Sequence, residues 1–343
     1  MGPVTGSKFG GLCRATGTRL MADDVWEDKR SSRPVRETLP VDRPTAFFVE
    51  EEPAAPGQVT TVATLFLVNR ECPFECVYCD LWRHTTPDTV PVGAVPRQIE
   101  TALSQMSPAR EIKLYNSGNF FDPRAIVPED HATIARLCAG FERVIVENHP
   151  RLCGSRCVEF RDLLLAERRK RQTGRPEDGI LEIAMGLETV HPDSWSRLNK
   201  QMTPTDFQRA SRQMVREGIS VRAFVMLQPP FVAPDESVAS ALETVEFAWE
   251  SGARMVAVIP TRATTPAVRQ WEMQGVFREP QIGQLESVFE EALSRKRGIV
   301  TVDTWDLDRF CPCDACGPRR KSRLHAMNLS QRILPPVSCS VCG

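Results

Sequence analysis

The densest chemistry in the chain is 68-VNRECPFECVYCDLW-82, where Cys72, Cys76 and Cys79 fall within eight positions and Tyr78 directly precedes the third. Thiolates at Cys-x3-Cys-x2-Cys spacing can wrap three corners of a cube-shaped iron–sulfur cluster, leaving its fourth iron open to a ligand. A structural zinc ion asks for four protein ligands, usually as two Cys-x2-Cys pairs, and the only nearby candidate for a fourth is His84. Twelve cysteines with no secretory leader argue for metal before disulfides. A second group does offer two pairs: Cys313-x2-Cys316 and Cys339-x2-Cys342, separated by 22 residues, with Cys311 and His325 as spare ligands. That is the arrangement of a four-cysteine zinc ribbon, with an auxiliary iron–sulfur cluster as the alternative. Cys13, Cys138, Cys153 and Cys157 lie outside both groups; the last two share Cys-x3-Cys spacing but lack a third neighbour and read as ordinary cysteines, with metal ligation as the alternative.

The first group follows 61-TVATLFLV-68, a β-branched apolar run. It opens a rhythm of short strands at 111–116, 143–148, 181–188, 220–227, 254–260 and, more weakly, 299–303. Helical patterns alternate with them at 96–106, 129–141, 158–170, 205–218, 236–252 and 280–296, with cap signals such as 203-TPTD-206 and terminal Gly218 and Gly252. Alternation at this spacing predicts an α/β fold with a parallel sheet: a partial (β/α)6 TIM-type barrel, or a doubly wound sheet as the other possibility. Either way ligands sit at the carboxyl ends of the strands, where Cys72–Cys79 fall. Residues 1–57 read as an irregular leader with a short strand near 45–50, in which Met1 or Met21 is the start. Residues 58–303 form the barrel and 304–343 a Cys-rich metal-binding tail.

The cysteine loop after a first barrel strand resembles that of the radical S-adenosylmethionine (SAM) superfamily, and the resemblance covers about residues 58–303. The segment 114-LYNSGNFFDP-123 stands where the family carries Gly-Gly-Glu to bind the SAM amine. Here Ser117-Gly118-Asn119 keeps the close-approach glycine and loses the carboxylate, leaving the amine to backbone carbonyls or Asn119. The segment 185-MGLETVHPDSWSRLNK-200 is similar to the elongator-catalytic-subunit and methylthiotransferase branch. It implies Glu188 at the ribose hydroxyls and Lys200, with Arg197 as substitute, at the SAM carboxylate. Tyr78 would lie near the adenine. The two segments together most resemble the radical SAM enzyme of archaeosine biosynthesis and its relatives.

The resemblance implies a [4Fe-4S] cluster on Cys72, Cys76 and Cys79 that cleaves SAM to a 5′-deoxyadenosyl radical, with flavodoxin or ferredoxin as electron donor. At strand ends, His149 could contact substrate or adenine, or merely bond a loop; Arg262 could bind an anion or cap its own loop. The basic runs 167-ERRKR-171 and 318-PRRKSR-323 give mild support for tRNA, although such runs are more often solvated helix faces. A net charge of −1 makes no global case for a polyanion. Hydrophobic content of 41% without a bilayer-length apolar run predicts a cytoplasmic protein with no membrane partner. Three readings follow: tRNA nucleoside modification, radical chemistry on a small molecule or peptide, and a non-catalytic metal-binding module.

Overall fold

The computed structural model describes Arg36 and residues 38–342 except Thr173 and Pro176; Cys13 and both candidate start methionines lie outside them. The strands are β1 (Ala46–Ala55), β2 (Gln58–Phe66), β3 (Glu111–Tyr115), β4 (Arg143–Glu147), β5 (Leu181–Glu188), β6 (Ser220–Leu227), β7 (Met255–Pro260) and β8 (Ile299–Val302). They form one sheet in the order β1-β2-β3-β4-β5-β6-β7-β8. β1 pairs antiparallel to β2, and every later pairing is parallel. A doubly wound sheet needs a reversal in strand order, and none occurs, so the winding is that of a barrel. The weak run at 299–303 supplies β8, a seventh parallel strand beyond the six clear units.

Helices α1 (Ala94–Leu103), α2 (Pro128–Cys138), α3 (Ser155–Lys170), α5 (Pro204–Arg216), α6 (Ser237–Glu250) and α8 (Ile282–Ser294) follow the sequence pattern. In α5, Thr203 and Asp206 form a reciprocal capping box, which satisfies two orphan amides of the first turn. Three helices carry no clear pattern: α4 (Pro192–Trp195), α7 (Pro266–Met273) and α9 (Gly317–Ser330). Among the described residues no helix is long and apolar enough to cross a membrane.

Alternation along each strand divides the barrel into two layers. Outward-facing Leu65, Leu114, Val146, Ile183 and Val225 join the helices in the main core. Inward-facing Val62, Ile145 and Ala184 form a small lumenal cluster with Tyr115 and Phe224. Below it, at the amino ends of the strands, the lumen is ionic. Lys113 pairs with Glu50 (2.8 Å) and Glu52, and Arg222 with Glu52 (3.0 Å) and Glu182 (2.8 Å). Arg254 and Arg143 complete the set on Glu182 (2.7 and 3.5 Å), and Arg143 also meets Glu111 (3.4 Å). Because β1 runs antiparallel, its Glu50 and Glu52 arrive at this end and make a charge-balanced floor.

The sheet leaves β1 and β8 as edges, and α9 packs against β1, β2 and β8. Leu324 and Met327 of α9 enter the main core. Asn328 accepts from Val302 N–H (2.9 Å) and donates to Val302 C=O (2.8 Å); Gln331 does the same to Val300 (3.1 and 2.8 Å). Two side-chain amides thus satisfy the backbone of an edge that would otherwise invite another strand.

Candidate active site

The Cys72–Cys79 loop leaves the carboxyl end of β2 and is pinned from three neighbouring loops. Val77 N–H donates to Leu198 C=O (3.0 Å), and Asn199 donates to Glu75 C=O (2.7 Å). Phe74 stacks on the His149 ring, centroids 3.7 Å apart. Asn119 bridges two loops, donating to Cys72 Sγ (3.0 Å) and accepting from His149 N–H (2.7 Å). Gly118 backs onto Cys72: a Cβ there would lie 3.7 Å from the Cys72 Cβ and backbone nitrogen, in van der Waals contact.

All three loop thiols are half-buried. Burial pushes Cys72 up to about 11 despite the Phe74 N–H aimed at it, and it raises Cys76 and Cys79 as well. Bare, these thiols hold their protons; a metal makes them thiolates, and the Phe74 and Leu81 amides and Lys200 are placed to stabilise that charge.

Beside the thiols, Lys200 lies 2.6 Å from Glu188 and 3.2 Å from the Tyr78 hydroxyl. The family resemblance implies one ligand for Glu188, Lys200 and Tyr78, and the fold brings all three side chains together. Burial works against the Lys200 charge, but Glu188, helped by the Cys76 and Cys79 sulfurs, more than restores it. Gly186 makes the pair possible, because a Cβ there would overlap both Glu188 Oε1 and Lys200 Nζ. Glu188 itself is left-handed, φ 67°, and so is Ser117, φ 50°. Asn116, at the end of β3, is fully buried with both side-chain polar atoms unpartnered. Strain and orphaned polar groups of this kind mark a site built for something besides the chain.

Other candidates resolve by geometry. His149 Nδ1 accepts from Arg151 N–H (3.2 Å), so Nε2 carries the proton and donates to Lys200 C=O (2.9 Å). Burial, then Lys200, hold this ring down at about 3, and as a neutral bolt it has no free nitrogen for a ligand. Arg262 is the loop cap: it donates to Asp303 (2.9 Å) and to the Trp305 and Pro260 carbonyls. Arg197 lies over Phe231, 4.5 Å from the ring centroid, and lines an open cleft of about 990 Å³ with Phe231 and Arg278. His84 is exposed.

The basic runs are largely spent on the protein. Arg168 bonds the Phe141 and Glu142 carbonyls, Arg169 pairs with Glu177 and Lys170 with Glu167. In α9, Arg320 and Arg323 pair with Glu286, and Arg323 also with Glu290, all on the α8 side. The Arg320 and Arg323 contacts dock α9 on α8.

In the tail, the sulfurs of Cys313, Cys316, Cys339 and Cys342 all lie within 4.8 Å of one another, the one group among the described residues that could hold a single ion. Cys313–Cys339 is 3.8 Å and Cys316–Cys342 is 3.4 Å. A tetrahedral zinc with Zn–S near 2.3 Å sets its sulfurs about 3.8 Å apart. A four-iron cube spreads its thiolates over separate irons, so the quartet fits one ion better. Backbone amides of Val341 and Cys342 pull the Cys339 thiol down to about 6. Cys311 and His325 stand outside this set.

No protein-family profile matches the chain. An uncharacterised protein of Methanocaldococcus jannaschii is 18% identical over 278 residues, 76% of this chain and 73% of that one. Archaeosine synthase subunit beta of Methanosarcina acetivorans is 23% identical over 205 residues, 57% of this chain and 55% of the subunit. Among solved structures, Streptococcus suis SuiB bound to its precursor peptide SuiA superposes with a TM-score of 0.50 at 13% identity, covering 71% of this chain and 50% of SuiB. The chain carries the fold of a radical SAM enzyme. It spans about half the length of the archaeosine synthase subunit and of SuiB. In this barrel the cysteine loop, the 116–119 turn and the Glu188–Lys200 pair all sit at the carboxyl end of the parallel strands, opposite the ionic floor.

Proposed function

We propose that this chain is a radical SAM enzyme acting on a nucleoside of tRNA. Cys72, Cys76 and Cys79 would hold a [4Fe-4S] cluster, and SAM would lie between it, the 116–119 turn and Glu188–Lys200. The observation that carries this is the convergence of three half-buried thiols, an unpartnered Asn116 amide, a left-handed Ser117 and the Glu188–Lys200–Tyr78 group on one face. When bound, cluster and SAM supply one-electron cleavage to methionine and a carbon radical that takes hydrogen from substrate. The chain's own residues do the rest. Lys200 presents a cation to the SAM carboxylate, and Glu188 accepts from the ribose hydroxyls. Tyr78 covers the adenine. Both ends of the Asn119 amide are committed, to Cys72 and to His149, so the amine falls to backbone carbonyls of the turn.

The tRNA reading is supported by likeness to archaeosine synthase subunit beta. A small-molecule or peptide substrate is the second reading, favoured by the engagement of Arg168, Arg320 and Arg323 with the protein itself. In the tail, Cys313, Cys316, Cys339 and Cys342 would hold one zinc ion and so clamp α9 over the barrel edge. The test is anaerobic reconstitution with a chemical reductant and SAM. The expected result is 5′-deoxyadenosine, abolished by Cys76→Ala; no SAM cleavage with a full cluster would favour the non-catalytic reading. Recovery of bound tRNA would favour the first substrate, and its absence alongside turnover the second.

A further inference from the structure

Glu147 ends β4, two residues beyond lumenal Ile145, so strand alternation turns its side chain inward, one step nearer the mouth. One oxygen, Oε2, accepts both the Asn116 N–H (2.8 Å) and the Ser117 N–H (3.0 Å). Its backbone carbonyl accepts the Phe120 N–H (2.8 Å) from the same turn. A single residue of β4 therefore fastens both ends of the turn that carries Gly118 and Asn119. The next two residues continue the pairing, with Asn148 accepting from Phe121 N–H (3.2 Å) and His149 donating to Asn119.

This turn needs fastening. Ser117 holds φ 50°, a left-handed conformation that costs a non-glycine residue on the order of 1 kcal/mol. The family resemblance cannot explain Glu147, because it is neither a cluster ligand nor part of either motif. The floor's economy does not explain it either, since among the described residues no lysine or arginine forms an ion pair with it. Without a cation, burial pushes its carboxyl up to about 7 against the pull of the two amides. Such a group is costly unless the two bonds it makes are needed.

We infer that Glu147 is the positioning residue for the SAM-amine turn: by gathering two adjacent amides on one oxygen it bends the chain through Ser117 and sets Gly118 and Asn119 against Cys72. This rests on the proposed SAM site, but its first consequence is a property of the apo chain. Only an acceptor is required, so a neutral amide of the same length should serve, whereas an apolar isostere should not.

The experiment uses the full chain as wild type, Glu147→Gln and Glu147→Leu. Hydrogen exchange of the Asn116 and Ser117 amides is read on the apo proteins, and iron content and SAM affinity on the anaerobically reconstituted ones. Glu147→Gln should match wild type in exchange and bind SAM within about twofold. Glu147→Leu should exchange both amides faster and lose roughly tenfold or more in SAM affinity at unchanged iron, the scale of one to two hydrogen bonds. Should Glu147→Leu not fold, Glu147→Asp replaces it; a carboxylate one methylene shorter cannot reach both amides and should reproduce the loss. Wild-type exchange and SAM affinity in both shortened or apolar variants, or a Glu147→Gln as weak as they are, overturns the inference. A wild-type protein that binds no SAM sinks the proposed site instead, and the exchange arm still decides the role of Glu147.

Discussion

Glu52 and Glu147 are both half-buried carboxylates in one lumen, and the barrel treats them oppositely. Burial alone would raise Glu52, but Arg222 and Lys113 outweigh it and hold the carboxyl at about 2. At Glu147 burial meets only two amides, and the carboxyl rises to about 7. The same contrast runs through the surrounding residues. At the floor, four cations face four carboxylates, and the unpartnered Thr60 hydroxyl is the exception. At the mouth lie left-handed Ser117, Glu188 and Gln228, the orphaned Asn116 amide and three half-buried thiols. Strands that are settled at one end can carry unsettled loops at the other, and catalytic barrels concentrate their chemistry at that carboxyl end.

Breaking the floor should produce the largest effect. Arg222→Met leaves Glu52 and Glu182 short of their shared partner, and a broken buried pair costs about 3–5 kcal/mol. Denaturant unfolding should show a loss of that size; a loss under about 1 kcal/mol would mean the floor is not what stabilises the barrel.

Acid should act on the same network. Glu52 is depressed from 4.5 to about 2, so its stabilisation is full above pH 4.5 and disappears as pH falls through 2. That shift corresponds to about 3 kcal/mol. The pH dependence of stability between those limits should shrink in Glu52→Gln. Glu147 contributes with the opposite sign: its raised carboxyl favours the folded state below pH 4.5 and loses that advantage as pH rises through about 7. Glu147→Gln should therefore flatten the neutral side and leave the acid side alone. Identical profiles for both variants would erase the distinction between the two ends.

At the mouth, Glu188→Ala should weaken SAM binding by about 2 kcal/mol, roughly thirtyfold, the scale of two buried hydrogen bonds, with iron unchanged. Unaltered affinity in a folded variant would reduce Glu188 to a partner of Lys200 alone.

The sequence made the barrel legible because its parallel strands are buried on both faces and read as apolar runs such as 220-SVRAFVML-227. It made the thiols legible because ligand spacing is local. Three features escaped it. β1 is ten residues long, but 46-AFFVEEEPAA-55 hides half of it behind glutamates whose partners lie on β3 and β6. α9 is hidden by 318-PRRKSR-323, which reads as a surface until Glu286 and Glu290 are placed beside it. Glu147 looks like any strand-end acid, because the amides it gathers are thirty residues away in sequence. Each is a non-local charge or hydrogen-bond pairing, which periodicity cannot report.

The central claim is that Cys72, Cys76 and Cys79 hold a cluster with one iron left open to SAM. Electron paramagnetic resonance of the anaerobically reconstituted, reduced protein tests it most directly. The account predicts a reduced-cluster signal that shifts when SAM is added and that is absent in Cys76→Ala. A signal indifferent to SAM, or one that survives Cys76→Ala, would contradict it.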